Sequence, residues 1–236
     1  GPPAALAIAP LATGEVARVA ADGRLERLGA PAERGAPIRA AARERLGWTL
    51  WYPPVIEAEA ARFPRIDEAG RQLAAGRIAE ARALLGAAAP CGAEAGLARG
   101  LEAVILTARG ELDAAGAAAR EAVTLAPEAA GPRLAWSYVR QARGDLEAAA
   151  QDLEIAARLA PESALVAARA AELAFMRGAL RTARREAELS LARADTALGR
   201  IVLGYVELAA SRPREAETRF HVALARDAGH PAGHLG

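Results

Sequence analysis

The sequence predicts a mostly α-helical solenoid of helix pairs, preceded by a small β-rich segment. Glycines recur every 34 residues, and two prolines share that spacing. Alanines follow each glycine after five residues, and further small residues follow those alanines after seven. The repeating positions are Gly76, Gly110, Gly144 and Gly178; Pro127 and Pro161; Ala81, Ala115, Ala149, Ala183 and Ala216; and Ala88, Ala122, Ala156, Ser190 and Ala223.

Each 34-residue unit has the features of two helices joined by a tight turn. A glycine between two apolar stretches tolerates a positive φ, so it can end one helix and turn the chain. Residues seven apart lie on one face of the next helix, and small side chains there allow a close approach of two backbones. A proline such as Pro127 then ends the second helix and starts the next unit.

The spacing of two central units resembles the tetratricopeptide repeat family. These units read Gly110-x4-Ala115-x6-Ala122-x4-Pro127 and Gly144-x4-Ala149-x6-Ala156-x4-Pro161, with Leu153 and Phe220 at the family's large buried position. The resemblance extends from about Ile66 to His230. It implies a right-handed superhelix in which the first helix of each pair, helix A, lines the concave side.

The resemblance divides residues 57–236 into one degenerate unit, about 62 to 94, and four recognisable units, about 95 to 229. The outer units depart from the family pattern. Pro90 comes early, Asp195 stands in place of a proline, and Ser211-Arg212-Pro213 replaces a glycine. Residues 230–236 resemble the opening of a further repeat, and no polar capping helix is visible. We therefore expect the native protein to continue, and an uncapped end makes self-association possible.

Residues 1–56 lack the repeat and predict short strands joined by turns. Asp22-Gly23 is a strong tight-turn pair, and the pattern from Glu15 to Leu28 predicts a β-hairpin. The order of glycines and apolar residues is similar to that of the small domain called FecR-like, which would favour an extracytoplasmic location. The segment Ile38 to Leu46 fits a helix equally well.

The segment Trp48–Pro54 holds three of the nine aromatic residues of the chain. It suits an exposed aromatic surface that binds a proline-rich or carbohydrate partner. The interpretation that we favour is a hydrophobic plug that joins the β-rich segment to the first helix pair and covers the end of the solenoid.

Composition argues against several classes of partner. Thirty basic and 29 acidic residues nearly cancel and are not segregated, whereas nucleic-acid binding depends on a concentrated basic face. No apolar stretch is long enough to span a membrane. We expect a bacterial protein of the periplasm or envelope, with the cytoplasm as the alternative.

The residues that usually carry chemistry are scarce. The three histidines, His221, His230 and His234, lie at the C-terminal end, and Pro231 and Gly233 argue against a helical metal pair. Cys91 has no histidine near it in sequence. The sequence predicts no enzyme active site, no metal and no cofactor.

What remains is the groove that the resemblance implies, and it suits a peptide or partner protein. The helix A residues expected to project into it are Leu97, Val104, Tyr138, Gln141, Glu172, Phe175 and Tyr205. Each aromatic could instead pack between neighbouring helices. The chain has no lysine and no asparagine, so it cannot grip a terminal carboxylate as some family members do. The alternative function is a regulatory or substrate-presenting region of an enzyme whose catalytic domain lies elsewhere.

Overall fold

The computed structural model describes residues 55–74, 77–88 and 91–226, together with three short strands near the N-terminus. Gly76, Pro90 and the predicted repeat opening at 230–236 lie outside the described residues. So do the segments 38–46 and 48–54. The FecR-like similarity and the plug therefore stay predictions.

The strands are β1 (Ile8–Pro10), β2 (Val16–Val19) and β3 (Leu25–Gly29), which pair antiparallel in the order β1-β2-β3. Val19 lies opposite Leu25, so β2 and β3 pair across the sequence that contains Asp22-Gly23.

The described part of the chain contains eleven helices: a short α1 and then five pairs. The first helix of each pair is a helix A and the second is a helix B. The bounds are α1 (Glu57–Ala60), α2 (Pro64–Ala74) with α3 (Ile78–Gly86), α4 (Gly92–Ala108) with α5 (Leu112–Leu125), α6 (Ala130–Ala142) with α7 (Leu146–Leu159), α8 (Ala164–Met176) with α9 (Leu180–Arg193), and α10 (Ala197–Ala209) with α11 (Pro213–Arg226).

The turn glycines adopt the predicted conformation. Gly110, Gly144 and Gly178 have φ between 75° and 83°. At each turn the amide one residue beyond the glycine donates to a carbonyl five residues back, as from Asp145 N to Arg140 O at 2.9 Å. These bonds satisfy carbonyls left free at the end of helix A. The prediction that glycine ends helix A is confirmed at these three turns.

The alanine columns form the seams between helices. Ala115, Ala149, Ala183 and Ala216 are fully buried, as is Ser190 in the second column. Side chains this small let helices pack closely, and the remaining space is filled by larger residues such as Leu153 and Phe220, which are also buried. The helices A α2 and α4, α4 and α6, and α8 and α10 lie side by side, and each helix A from α4 onward also packs on the preceding helix B.

Candidate protein-interaction surface

The predicted groove residues lie on four neighbouring helices A: α4, α6, α8 and α10. We call α2, α4, α6, α8 and α10 together the helix-A row. The exposure of the predicted residues changes along this row. Leu97 and Val104 on α4 are buried at 5% and 0% exposure, so neither presents surface to a partner. They pack in the same hydrophobic core as Ile56 and Leu101.

Tyr138, Gln141 and Glu172 surround a buried arginine that bridges α6 and α8. The guanidinium of Arg169 lies 3.9 Å from the centre of the Tyr138 ring. Its Nη1 donates to Glu172 Oε2 at 2.5 Å, and its Nη2 donates to Gln141 Oε1. We call these four residues the Arg169 cluster. Burial raises the pKa of Tyr138, and the nearby Arg169 charge only partly opposes this effect.

Phe175 and Tyr205 belong to a chain of aromatic contacts between α8, α10 and α11. The Phe175 and Tyr205 rings lie 5.7 Å apart, and Tyr205 meets the buried Phe220 edge-on at 5.1 Å. Such geometries are favoured by the ring quadrupoles. Burial raises the pKa of Tyr205 to about 12, so its hydroxyl stays protonated at physiological pH.

Two exposed apolar side chains lie close in sequence to this aromatic contact. Met176 follows Phe175 on α8 and is 47% exposed, and Leu208 lies three residues after Tyr205 on α10 and is 39% exposed. Residues three apart share a helix face. We call Phe175, Met176, Tyr205 and Leu208 the apolar patch. Large exposed apolar side chains grouped in this way often mark interaction sites.

A buried acid holds the helices beside the patch. Glu207 on α10 accepts from Arg184 Nη1 of α9 at 2.7 Å, and Arg212 Nε in the following turn lies 2.8 Å from it. The hydrogen bond from Arg184 lowers the pKa of Glu207, so the pair stays charged. This contact ties α10 to α9 and to the turn before α11.

A second buried acid fixes α6. Asp152 on α7 lies 3.1 Å from Arg133 Nη1 and 3.0 Å from Arg140 Nη1. Arg140 also lies 5.0 Å from the Trp136 ring, within the range of a cation–π contact. Burial raises the pKa of Asp152, although both arginines oppose the shift.

Helix α1 and its role were not predicted from the sequence. Glu59 on α1 accepts from the backbone amides of Ala130 and Gly131 at 2.5 and 2.9 Å. These are the first two residues of α6, whose amides lack partners within the helix. A cavity of about 230 Å³ lies beside this contact, lined in part by Phe63 and Leu97. The separation of 71 positions in sequence between Glu59 and Ala130 explains why no local pattern revealed the bond.

The described residues offer little for catalysis. They contain no group of three histidine, cysteine or acidic side chains arranged to hold a metal. His221 and Cys91 are both exposed. None of the described helices combines the length and the apolar character needed to cross a membrane.

Comparisons with known proteins agree with this architecture. No protein-family model and no curated protein sequence matches this chain. A thermophilic TPR (tetratricopeptide repeat) protein from Thermus thermophilus, TTC0263, superposes with a TM-score of 0.59 at 22% identity, covering 70% of this chain and 91% of that chain. The chain has the tetratricopeptide-repeat fold.

Two further structures share the tetratricopeptide-repeat architecture of this chain at similar identity. One is the APC/C hetero-tetramer Cut9-Hcn1, with a TM-score of 0.56 and 18% identity, covering 80% of this chain and 39% of that chain. The other is BtubC (BKLC) from P. vanneervenii, with a TM-score of 0.50 and 17% identity, covering 83% of this chain and 91% of that one. At these identities the likeness concerns the fold.

Equivalent positions of the tetratricopeptide repeats differ in exposure along the helix-A row. Val104, Tyr138 and Glu172 lie 34 residues apart, and Tyr205 follows after 33. Val104 and Tyr138 are buried, whereas Glu172 and Tyr205 are partly exposed. At this repeat position the helix-A row is therefore open on α8 and α10.

Proposed function

We propose that this chain is a non-enzymatic scaffold that binds a peptide or partner protein along the helix-A row. The apolar patch on α8 and α10 supports the proposal most directly. Its aromatic rings are fixed by contacts with each other and with Phe220, so little side-chain freedom is lost when a partner binds them. Buried aromatic anchors of this kind carry much of the energy of protein interfaces.

The patch favours a partner that inserts apolar side chains. Met176 is flexible and polarisable, which suits varied apolar surfaces. Glu172 lies three residues before Phe175 on α8 and, like Gln141, already binds Arg169, so Glu172 serves as a polar edge of the patch. Of the seven residues predicted for the groove, Phe175 and Tyr205 would contact the partner. Leu97, Val104 and Tyr138 would instead pack in the core and support the surface of the helix-A row.

We also propose that the scaffold serves a larger bacterial protein of the envelope or of a secretion assembly. The tetratricopeptide-repeat fold is typical of interaction scaffolds, and the FecR-like similarity of the N-terminal segment favours the envelope. Fractionation of cells that express the native gene tests this location. Recovery of the protein in the cytoplasm would contradict it.

Binding at the patch can be tested without knowing the natural partner. Peptides selected from a displayed random library against the full chain would be measured by fluorescence anisotropy. We expect Met176→Asp to abolish binding, because a charge would replace an exposed apolar contact. Leu189→Asp is the matched control, because Leu189 is 39% exposed but lies on helix B of the same pair. Equal effects of the two variants would contradict the proposal.

A further inference from the structure

A cavity opens between α3 and α5, the helices B of the first two pairs, beside α4. Its volume is about 380 Å³, which is within the range of small-ligand sites. Leu85 of α3, Ala98 of α4 and Leu125 of α5 form apolar parts of its wall. Gly86, the last residue of α3, is exposed and also lines the cavity. The cavity is therefore open to solvent beside Gly86.

An arginine held between two glutamates forms a polar part of the same wall. Arg99 Nη1 donates to Glu102 Oε2 at 2.6 Å, and Arg99 Nε lies 3.1 Å from Glu121 Oε2. Hydrogen bonds to a guanidinium lie in its plane, so its faces can still stack on an aromatic ring. Arg82 on α3 is the second arginine of the wall. Two arginines and two glutamates cancel in charge, so the wall favours an uncharged group.

The next repeat holds a tryptophan at one of the cavity-lining positions. Glu102 on α4 is equivalent to Trp136 on α6, which follows 34 residues later. Gly86 on α3 is equivalent in the same way to Arg120 on α5. Trp136 is only 9% exposed and packs in a cluster with Ala119 of α5. In the second pair, the space between helix A and the preceding helix B is therefore filled by an indole ring.

The contacts of Trp136 show which group this kind of space accepts. The guanidinium of Arg140 lies 5.0 Å from the indole ring, and that of Arg120 lies 6.0 Å from it. Both distances are within the range of cation–π contacts. In the first pair, Glu102 supplies no ring, and a Cβ added at Gly86 would meet nothing within 4 Å. The corresponding space is therefore open, and it has arginines in its wall.

We propose that this cavity binds the indole side chain of a tryptophan from a partner protein. The ring lies against Leu85 and Ala98 and stacks on Arg99. Tryptophan is a frequent anchor of protein interfaces, and the opening beside Gly86 leaves room for the backbone that carries the side chain. The cavity is formed by α3, α4 and α5, whereas the apolar patch lies on α8 and α10. The assignment therefore does not depend on the proposed function.

Titration of the full chain with N-acetyl-tryptophanamide tests the assignment, because this probe carries the indole side chain between two peptide groups. Backbone amide shifts would be recorded by NMR. We expect saturable shifts at Leu85, Gly86, Ala98 and Leu125, with a Kd of about 0.1–1 mM for a probe of this size. Saturation without shifts at these residues, or no saturation, would overturn the proposal.

Two further probes test the chemistry of the ligand. N-acetyl-leucinamide should bind at least about tenfold more weakly, because it cannot stack on a guanidinium. Equal affinity of the two amides would overturn the assignment to an aromatic ring. Free indole should bind more weakly than N-acetyl-tryptophanamide. Tighter binding of free indole would assign the cavity to a small molecule and overturn the partner protein.

Glu102→Trp supplies the ring from the chain itself, as Trp136 does in the next repeat. We expect it to abolish binding of N-acetyl-tryptophanamide and to unfold at a higher temperature than Glu102→Gln, because the ring fills the cavity. Glu102→Gln is the matched control and should keep the Kd within about twofold, since a partly exposed ion pair contributes little. A lower unfolding temperature for Glu102→Trp than for Glu102→Gln would show that the ring does not fit, which would overturn the proposal.

Gly86→Leu narrows the opening of the cavity and leaves Glu102 unchanged. The open space around a Cβ at Gly86 makes this change compatible with the fold. Ala83→Leu is its control, because Ala83 is exposed on the same helix and does not line the cavity. We expect Gly86→Leu to raise the Kd at least about tenfold and Ala83→Leu to leave it unchanged. The same Kd in Gly86→Leu and the wild type would overturn the proposal.

Discussion

The guanidinium of Arg169 on α8 stacks 3.9 Å from the ring centre of Tyr138 on α6, and the arginine side chain has no exposed surface. This contact joins two helices A of successive pairs through long side chains. A charge buried this fully is costly unless it is paired. Glu172 and Gln141 provide the partners, so the two halves of the helix-A row are joined by a polar cluster.

Substitutions of Arg169 should distinguish the contribution of its side-chain volume to stability from the contribution of its charge. We expect Arg169→Ala to lower the free energy of unfolding by about 2–4 kcal/mol, because a large cavity opens between α6 and α8. Arg169→Met should recover most of this loss, since the methionine side chain refills the space between α6 and α8 and the remaining Glu172 side chain is partly exposed to solvent. Urea denaturation followed by circular dichroism measures both. Equal losses in the two variants would show that the charge, not the volume, is required.

Two glycines on helices A should respond in opposite ways to alanine. A Cβ at Gly204 would lie 2.6 Å from the Phe220 ring, whereas a Cβ at Gly100 would lie 3.5 Å from its nearest neighbours. Gly204→Ala should therefore cost about 1–3 kcal/mol through overpacking. Gly100→Ala should gain about 0.5–1 kcal/mol from helix propensity. Thermal unfolding of the two variants checks this, and destabilisation by Gly100→Ala would contradict the packing at α4.

Ser211 occupies the turn position that glycine holds in the three preceding repeats. Its φ is 58°, and Arg212 N donates to Glu207 O at 2.9 Å, as in the other turns. We expect Ser211→Gly to stabilise the chain by up to about 1 kcal/mol, because the left-handed conformation strains a residue with a Cβ. Gly144→Ala, at φ 83°, should lose about 1 kcal/mol for the same reason. Chemical denaturation would contradict this if both changes had the same sign.

The pH dependence of protein stability should show whether burial or hydrogen bonding dominates the pKa of Glu59. Burial raises the pKa of Glu59 above 4.5, although the amides of Ala130 and Gly131 oppose the shift. A raised native pKa contributes stability at pH below 4.5, and this contribution is lost as the pH rises through the native pKa. The stability of the wild type relative to Glu59→Gln should therefore decline with rising pH. An advantage that grows with pH, in urea titrations, would show that the amide bonds dominate.

The sequence predicted the structure well at positions where the same backbone or packing requirement recurs in every repeat. Gly110, Gly144 and Gly178 are needed at each turn because of their positive φ, and the alanine columns are needed at each seam. These constraints act within one unit, so the period reveals them. The helix pairs followed from that period, and the tetratricopeptide-repeat fold followed from the resemblance of the two central units to that family.

The sequence was less informative about which side chains face solvent. Leu97 and Phe175 both lie on predicted groove positions, yet Leu97 is buried and Phe175 is partly exposed. Their exposure depends on contacts with other segments, such as the docked residues around Ile56. Arg169 was not singled out, because an arginine on a helix is usually solvated. Its burial depends on partners on α6, about one repeat away in sequence.

The most direct test of the central claim is a map of the bound peptide on the helix-A row. Backbone amide shifts of the full chain would be recorded by NMR while a library-selected peptide is titrated. We expect the shifts to concentrate in α8 and α10 around Phe175, Met176, Tyr205 and Leu208. Shifts concentrated on the helices B, α7, α9 and α11, would contradict binding along the row.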